Sequence, residues 1–207
     1  MNKWKESELV TSLVGFFLLF LFFVGLFIFV VPSTHKSSKI AEKIKSIKNE
    51  KVTYVAIGDS LTQGVGDSSN QGGFVPVLSQ ALESDFDWQV TSRNYGIAGN
   101  TSNQILKRMQ EKKDIQRDLK KAKVMTLTVG GNDVIHVIKD NITNLNVDTF
   151  TKPAQAYQKR LGQIIELARK DNKTLPIYIV GIYNPFYLNF PEMTEMQTIV
   201  DNWNQST

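Results

Sequence analysis

Three short β-prone runs in this chain each stop at a glycine, and each is followed by a helical pattern. Val52-Thr53-Tyr54-Val55-Ala56-Ile57 stops at Gly58, Trp88 to Tyr95 stops at Gly96, and Val124-Met125-Thr126-Leu127-Thr128-Val129 stops at Gly130-Gly131. β-branched and aromatic residues in runs of this length indicate strands. Between them, Phe74 to Glu83 puts Phe74, Val77, Leu78, Ala81 and Leu82 on one helical face. Asn103 to Leu119 reads as one charged amphipathic helix, and Ala154 to Lys170 as another. Leu175 to Ile182 suits a fourth strand, with Pro176 tolerable at its start, and Met193 to Trp203 is helical in pattern. Strands alternating with helices need crossover connections. Their right-handed sense gives a mostly parallel sheet covered on both faces, an α/β domain over residues 51–207.

The N-terminal part is a different kind of chain. Leu13 to Val31 contains no charged or strongly polar residue, and seven of the twelve phenylalanines fall between Phe16 and Phe29. About 20 apolar residues span a bilayer core as a helix. The run is hydrophobic all round, which an amphipathic surface helix is not. It is also longer than the apolar part of a cleaved signal peptide, and Val30-Val31-Pro32-Ser33 is a poor cleavage site. The expected organisation is a tail at 1–8, a transmembrane anchor at 9–31, a basic linker at 32–50 and the α/β domain. The expected location is the cell membrane, single-pass, with membrane lipid as a partner and the domain extracytoplasmic. Six lysines from Lys36 to Lys51 argue for the opposite orientation by the positive-inside rule.

Composition removes several chemistries. There is no cysteine, so disulfides, thiolate metal sites and cysteine nucleophiles are excluded. The only histidines are His35 and His136, which with scattered carboxylates argue for no metal site. A net charge of +4 does not call for nucleic acid. No phosphate-cradling loop follows Gly64-Val65-Gly66-Asp67, so no cofactor is expected.

In parallel sheets ligands bind at the carboxyl ends of the strands. The first end carries Gly58-Asp59-Ser60-Leu61, where a serine sits on a strand-to-helix turn. The second carries Asn94-Tyr95-Gly96-Ile97-Ala98-Gly99-Asn100-Thr101-Ser102. The third carries Gly130-Gly131-Asn132-Asp133. Each alone is explained as a glycine turn with a helix cap. Together, at successive strand ends and in this order, they resemble the blocks of the SGNH hydrolases, the GDSL esterase/lipase family, over residues 52 to 207.

The resemblance implies a flavodoxin-like three-layer α/β/α fold with a five-stranded parallel sheet, and hydrolysis of acyl esters. It implies Ser60 as the nucleophile. It implies an oxyanion hole from the N–H groups of Ser60 and Gly99 and the side-chain amide of Asn132. Gly58, Asp59 and Asp133 would support them. The family's fourth block, Asp-x-x-His, has no counterpart after the third block, and no histidine follows His136. The fold's last strand and helix are missing as well. His136 could lie one helical turn beyond Asn132, with Asp133 as its partner, but an ordinary surface histidine is the simpler reading. Trp88 and Trp203 read as core residues. Two functions are therefore expected as alternatives: an esterase that has lost its C-terminal end and is impaired, or a membrane-anchored non-catalytic protein that binds an acyl or glycan ligand.

Overall fold

The computed structural model describes residues 50–141, 143, 146–184, 194–205 and 207. These fall in one of the two units into which the chain divides, Ile44–Thr207. The predicted anchor at 9–31 and most of the linker lie outside the described residues. Among the described residues no helix is long and apolar enough to cross a membrane.

The order is β1 (Glu50–Gly58), α1 (Ser60–Gln63), α2 (Phe74–Phe86), β2 (Trp88–Gly96), α3 (Ser102–Glu111), α4 (Lys113–Lys121), β3 (Ala122–Thr128), α5 (Gly131–Asp140), a 3-10 turn (Val147–Phe150), α6 (Thr151–Ala168), β4 (Ile177–Val180) and α7 (Thr194–Gln205). The four strands form one parallel sheet in the order β2-β1-β3-β4. Alternation along β1 divides the interior. Val55 and Ile57 face the larger core, built with Ile105, Met109, Leu119, Leu161, Ile164 and Trp203 from α3, α4, α6 and α7. Tyr54 and Ala56 face a smaller one with Val75 and Val124, under α2. Helices on both faces of a parallel sheet are the expected α/β arrangement. On the α2 side β4 is uncovered among the described residues: Tyr178 is 63% exposed and Val180 42%.

Three sequence expectations need correction. The helix predicted over Asn103–Leu119 is two, broken at Lys112, whose backbone is extended (φ −91°, ψ 107°). In one continuous helix Ile115 and Leu119 would sit about 100° round from Ile105, Leu106 and Met109, roughly one residue's rotation. The break resets the phase and buries both groups. Second, the apolar face expected on Phe74–Glu83 is rotated: Val75 is buried, while Val77 is 60% exposed and Ala81 is exposed as well. Third, Trp88 is not core: it stacks on Phe86 at the sheet edge (ring centroids 4.7 Å apart), with the Lys123 ammonium 5.7 Å from its ring. Trp203 is 1% exposed and packs on Tyr157, as expected.

α4 is pinned to the edge strand by Asp118, which is buried. It accepts a hydrogen bond from the Tyr95 hydroxyl (2.8 Å) and pairs with Arg117 (2.9 Å) and Arg93 (3.4 Å). Burial opposes its ionisation, but these partners outweigh it and hold its carboxyl below the ordinary value of 3.8. Burial and the Asp118 charge push Tyr95 up to about 12. A carboxylate whose pKa is depressed by folding stabilises above its unfolded pKa and loses that contribution as pH falls through the folded one. Asp118→Asn should therefore lower the denaturation midpoint at pH 7 and flatten the loss of stability below about pH 4, measured by chemical denaturation across pH.

Two glycines permit the closest approaches. A Cβ on Gly96 would lie 2.1 Å from the Gln63 backbone nitrogen, and one on Gly58 would lie 2.1 Å from Thr128 Oγ1. Gly162, in α6, faces nothing within 4 Å. Gly96→Ala should destabilise by about 3 kcal/mol or more, since backbone must move. Gly162→Ala should stabilise by about 0.5–1 kcal/mol through helix propensity. Denaturation midpoints of the two variants check both.

Candidate active site

All three motif loops leave the sheet at the same edge, because β1, β2 and β3 are parallel and in register: Gly58 lies opposite Gly96, and Ile57 opposite Leu127. The first loop is the tightest. Asp59 caps the four-residue helix α1, its Oδ1 accepting from Leu61 N (3.1 Å), and Gly64 closes it in the left-handed region (φ 93°). Ser60 is the first residue of α1. Helix geometry leaves its N–H without an intrahelical acceptor. Among the described residues neither that N–H nor its Oγ is hydrogen-bonded within the chain.

A buried hydroxyl clamp holds this turn. Thr128 Oγ1, at the end of β3, donates to Asp59 Oδ1 (2.8 Å) and accepts from Asp59 N (3.1 Å). Thr62 Oγ1 lies 2.8 Å from Thr128 Oγ1 and 3.3 Å from Ile57 O. Since Thr128 gives its only proton to the carboxylate, Thr62 must be the donor between the two hydroxyls. Asp59 is thus a structural neighbour of Ser60 with its bonds directed into the protein.

The second loop leans on the first. Ile97 N donates to Gly58 O (3.1 Å), Ala98 N to Gln63 Oε1 (2.5 Å) and Asn94 Nδ2 to Thr62 O (2.7 Å). Arg108 reaches back from α3 to the carbonyls of Tyr95 (3.0 Å) and Gly58 (3.2 Å), tying together the ends of β1 and β2. Its burial holds its pKa below the usual value. Gly99 takes φ +77°, a region that disfavours any side chain. It is exposed, and its N–H makes no hydrogen bond among the described residues.

The third loop closes on the second. Asn132, in the first turn of α5, donates its side-chain amide to Asn100 O (3.0 Å). Its neighbour Asp133 is buried and accepts from Ser102 N (2.8 Å) and Ser102 Oγ (2.5 Å).

Ser60, Asp59 and Asn132 line one cleft of about 180 Å³. Its other walls are largely apolar: Leu61 from α1, Ile135 and Ile138 from α5, Val180 and Ile182 at the end of β4, and Met196 and Val200 from α7. Gly58, Gly99 and Asp133 lie outside that lining. His136 is exposed and also outside it, because α5 turns Ile135 and Ile138 to the cleft instead. Asn184 donates to Gln197 (3.3 Å), and the residues after it, 185–193, lie outside the described residues. No cluster of acidic or histidine side chains suited to a metal occurs among the described residues.

Residues 56–207 match the GDSL-like Lipase/Acylhydrolase family along a stretch that holds all three loops. The chain belongs to this family. It is therefore built as an ester-hydrolysing enzyme is built, and the family's solved members share its fold. The lipase Lip_vut3 from a goat rumen metagenome is 25% identical with a TM-score of 0.67, over 75% of this chain and 73% of that one. The acetyl xylan esterase AlAXEase, 20% identical with a TM-score of 0.51 over 75% of this chain and 70% of that one, shares the fold. The Bacillus subtilis protein YpmR is 33% identical over 174 residues, 83% of this chain and 68% of its own length. The spore germination lipase LipC of Bacillus licheniformis is 30% identical over 138 residues, 64% of each chain. This chain thus matches about two thirds of the length of each Bacillus relative.

The family's motifs were legible in sequence. The threonine clamp, Arg108 and the Ser102–Asp133 contact were not, because each joins residues from different elements with no fixed spacing. Thr128→Val keeps the shape but removes one donor to the Asp59 carboxylate and one acceptor for Asp59 N. It should cost about 2–4 kcal/mol. Urea denaturation of the variant measures this.

Proposed function

We propose that this chain cleaves acyl esters through an acyl intermediate on Ser60. The carrying observation is that Ser60, with its hydroxyl unengaged, and Asn132 line the same largely apolar cleft at the carboxyl edge of the sheet. In this reading Ser60 Oγ attacks the ester carbonyl carbon and the carbonyl oxygen becomes an oxyanion. The N–H groups of Ser60 and Gly99 and the Asn132 side-chain amide receive that charge. Each such donor is worth about 3–4 kcal/mol in the transition state. Collapse of the tetrahedral intermediate expels the alcohol, and water then releases the acid and restores Ser60. The apolar walls suit the acyl part of the substrate.

The Ser60 proton requires a base. His136 is exposed and outside the cleft, and no Asp-x-x-His follows the third motif. Losing the imidazole of a serine triad lowers kcat on the order of 10⁶-fold. An oxyanion hole acting without a base supports only residual hydrolysis, so full turnover requires a base other than the side chains that line the cleft among the described residues. The position of His136 outside the cleft favours a second reading, a membrane-anchored protein that binds an acyl or glycan ligand in the same cleft without turning it over. In both readings the apolar run at 9–31 anchors the chain in the cell membrane with the α/β domain outside the cytoplasm.

Labelling by a fluorophosphonate, followed by mass spectrometry, tests the choice. Adduct on Ser60, absent in Ser60→Ala and slowed about 10²-fold in Asn132→Ala, is the expected result for the esterase. An unlabelled Ser60 in a folded protein that still binds a fluorescent fatty acid would replace it with the binding reading.

A further inference from the structure

We propose that Arg160, in a helix that carries none of the family motifs, is a positioning residue for the oxyanion hole: through Ser102 and Asp133 it fixes the Gly99 loop against Asn132. This inference rests on the roles of Gly99 and Asn132 given above. The second loop is exposed from Ile97 to Gly99, and this stretch is tied to the first loop by Ile97 N on Gly58 O at the end of β1 and by Ala98 N on Gln63 of α1. Its other end is held from α5. Two successive residues there grip two alternate residues of the loop: Asn132 bonds Asn100 O and Asp133 bonds Ser102 N. The spacing between the two oxyanion donors therefore depends on where Asp133 sits.

Asp133 is 7% exposed, and a buried carboxylate needs donors or a cation to replace water. Arg160 of α6 supplies the cation. One edge of its guanidinium spans two elements, Nε donating to Ser102 Oγ (2.7 Å) and Nη2 to Asp133 Oδ1 (3.2 Å). Because Nε can only donate, Ser102 Oγ accepts from it and sends its own proton to Asp133 Oδ1. The three side chains form a closed ring of hydrogen bonds across α3, α5 and α6. A planar fork makes both contacts at once; an ammonium supplies the charge but not both bonds in that geometry.

The test compares the full chain with Arg160→Met, Arg160→Lys and Ser102→Ala, using peptide-resolved hydrogen–deuterium exchange and kcat and KM for 4-nitrophenyl butyrate. Arg160→Met is expected to accelerate exchange over residues 97–104 at least about tenfold, with β1 and β3 unchanged. Its kcat should fall roughly 10- to 100-fold with KM within about twofold, bounded by the loss of a whole oxyanion donor. Arg160→Lys should recover part of both. Unchanged exchange over 97–104 in a folded Arg160→Met protein overturns the proposal. So does acceleration spread evenly through the core strands. Should Arg160→Met not fold, Ser102→Ala keeps the Arg160–Asp133 pair and is judged by the same exchange criterion. Absence of ester hydrolysis in the unsubstituted protein would count against the proposed activity, and the exchange result would still decide the role of Arg160.

Discussion

The structure depends on how closely the carboxyl ends of β1, β2 and β3 approach the turn that bears Ser60. At Gly58 and Gly96 a single added carbon would strike neighbouring atoms at 2.1 Å. That closeness lets the Thr128 hydroxyl reach Asp59 and lets α1 nest on β2. The turn's own hydrogen bonds, from Leu61, Gln63, Gly64 and Val65 back to Asp59 and Ser60, leave the Asp59 N–H and one carboxylate oxygen contact to be met from outside it. The turn is held because buried groups on the next strand complete its bonding.

The same principle operates at the two buried carboxylates that are ion-paired. Asp118 draws Tyr95, Arg93 and Arg117 together at the sheet edge, and Asp133 draws Ser102 and Arg160 together beside the cleft. A charge taken from water is tolerated only with partners in good geometry. Asp118 therefore couples a helix to the edge strand, and Asp133 couples three helices, where hydrophobic packing alone would allow sliding. In Asp133 the coupling lies one residue from Asn132, so the device that secures the helices also sets the cleft.

Much of this could be read from the residues. The β-prone runs and their terminal glycines pointed to the α/β class, and the resemblance carried by the three motifs in order pointed to Ser60, Gly99 and Asn132 as the candidate site. Periodicity misled where a chain changes phase: the stripe of Ile105 and Met109 continues to Ile115 and Leu119 only through the extended residue Lys112. A window of sequence averages over such a break. Trp88 misled in another way, since an aromatic in a strand says nothing about whether that strand is central or at the edge, where β2 lies.

The sequence by itself determined the local chemistry: which residue types stand at strand ends, that only two imidazoles exist, and that a long apolar run precedes the domain. Those properties depend on neighbours within a few positions. Tertiary structure alone decided which of them meet. It put Ser60 and Asn132, 72 positions apart, on one cleft, turned His136 away from it, and recruited Thr128, Arg108 and Arg160 as supports. The reason is physical. A hydrogen bond between distant elements is set by strand register and helix packing, and neither is written in the spacing of the residues that make it.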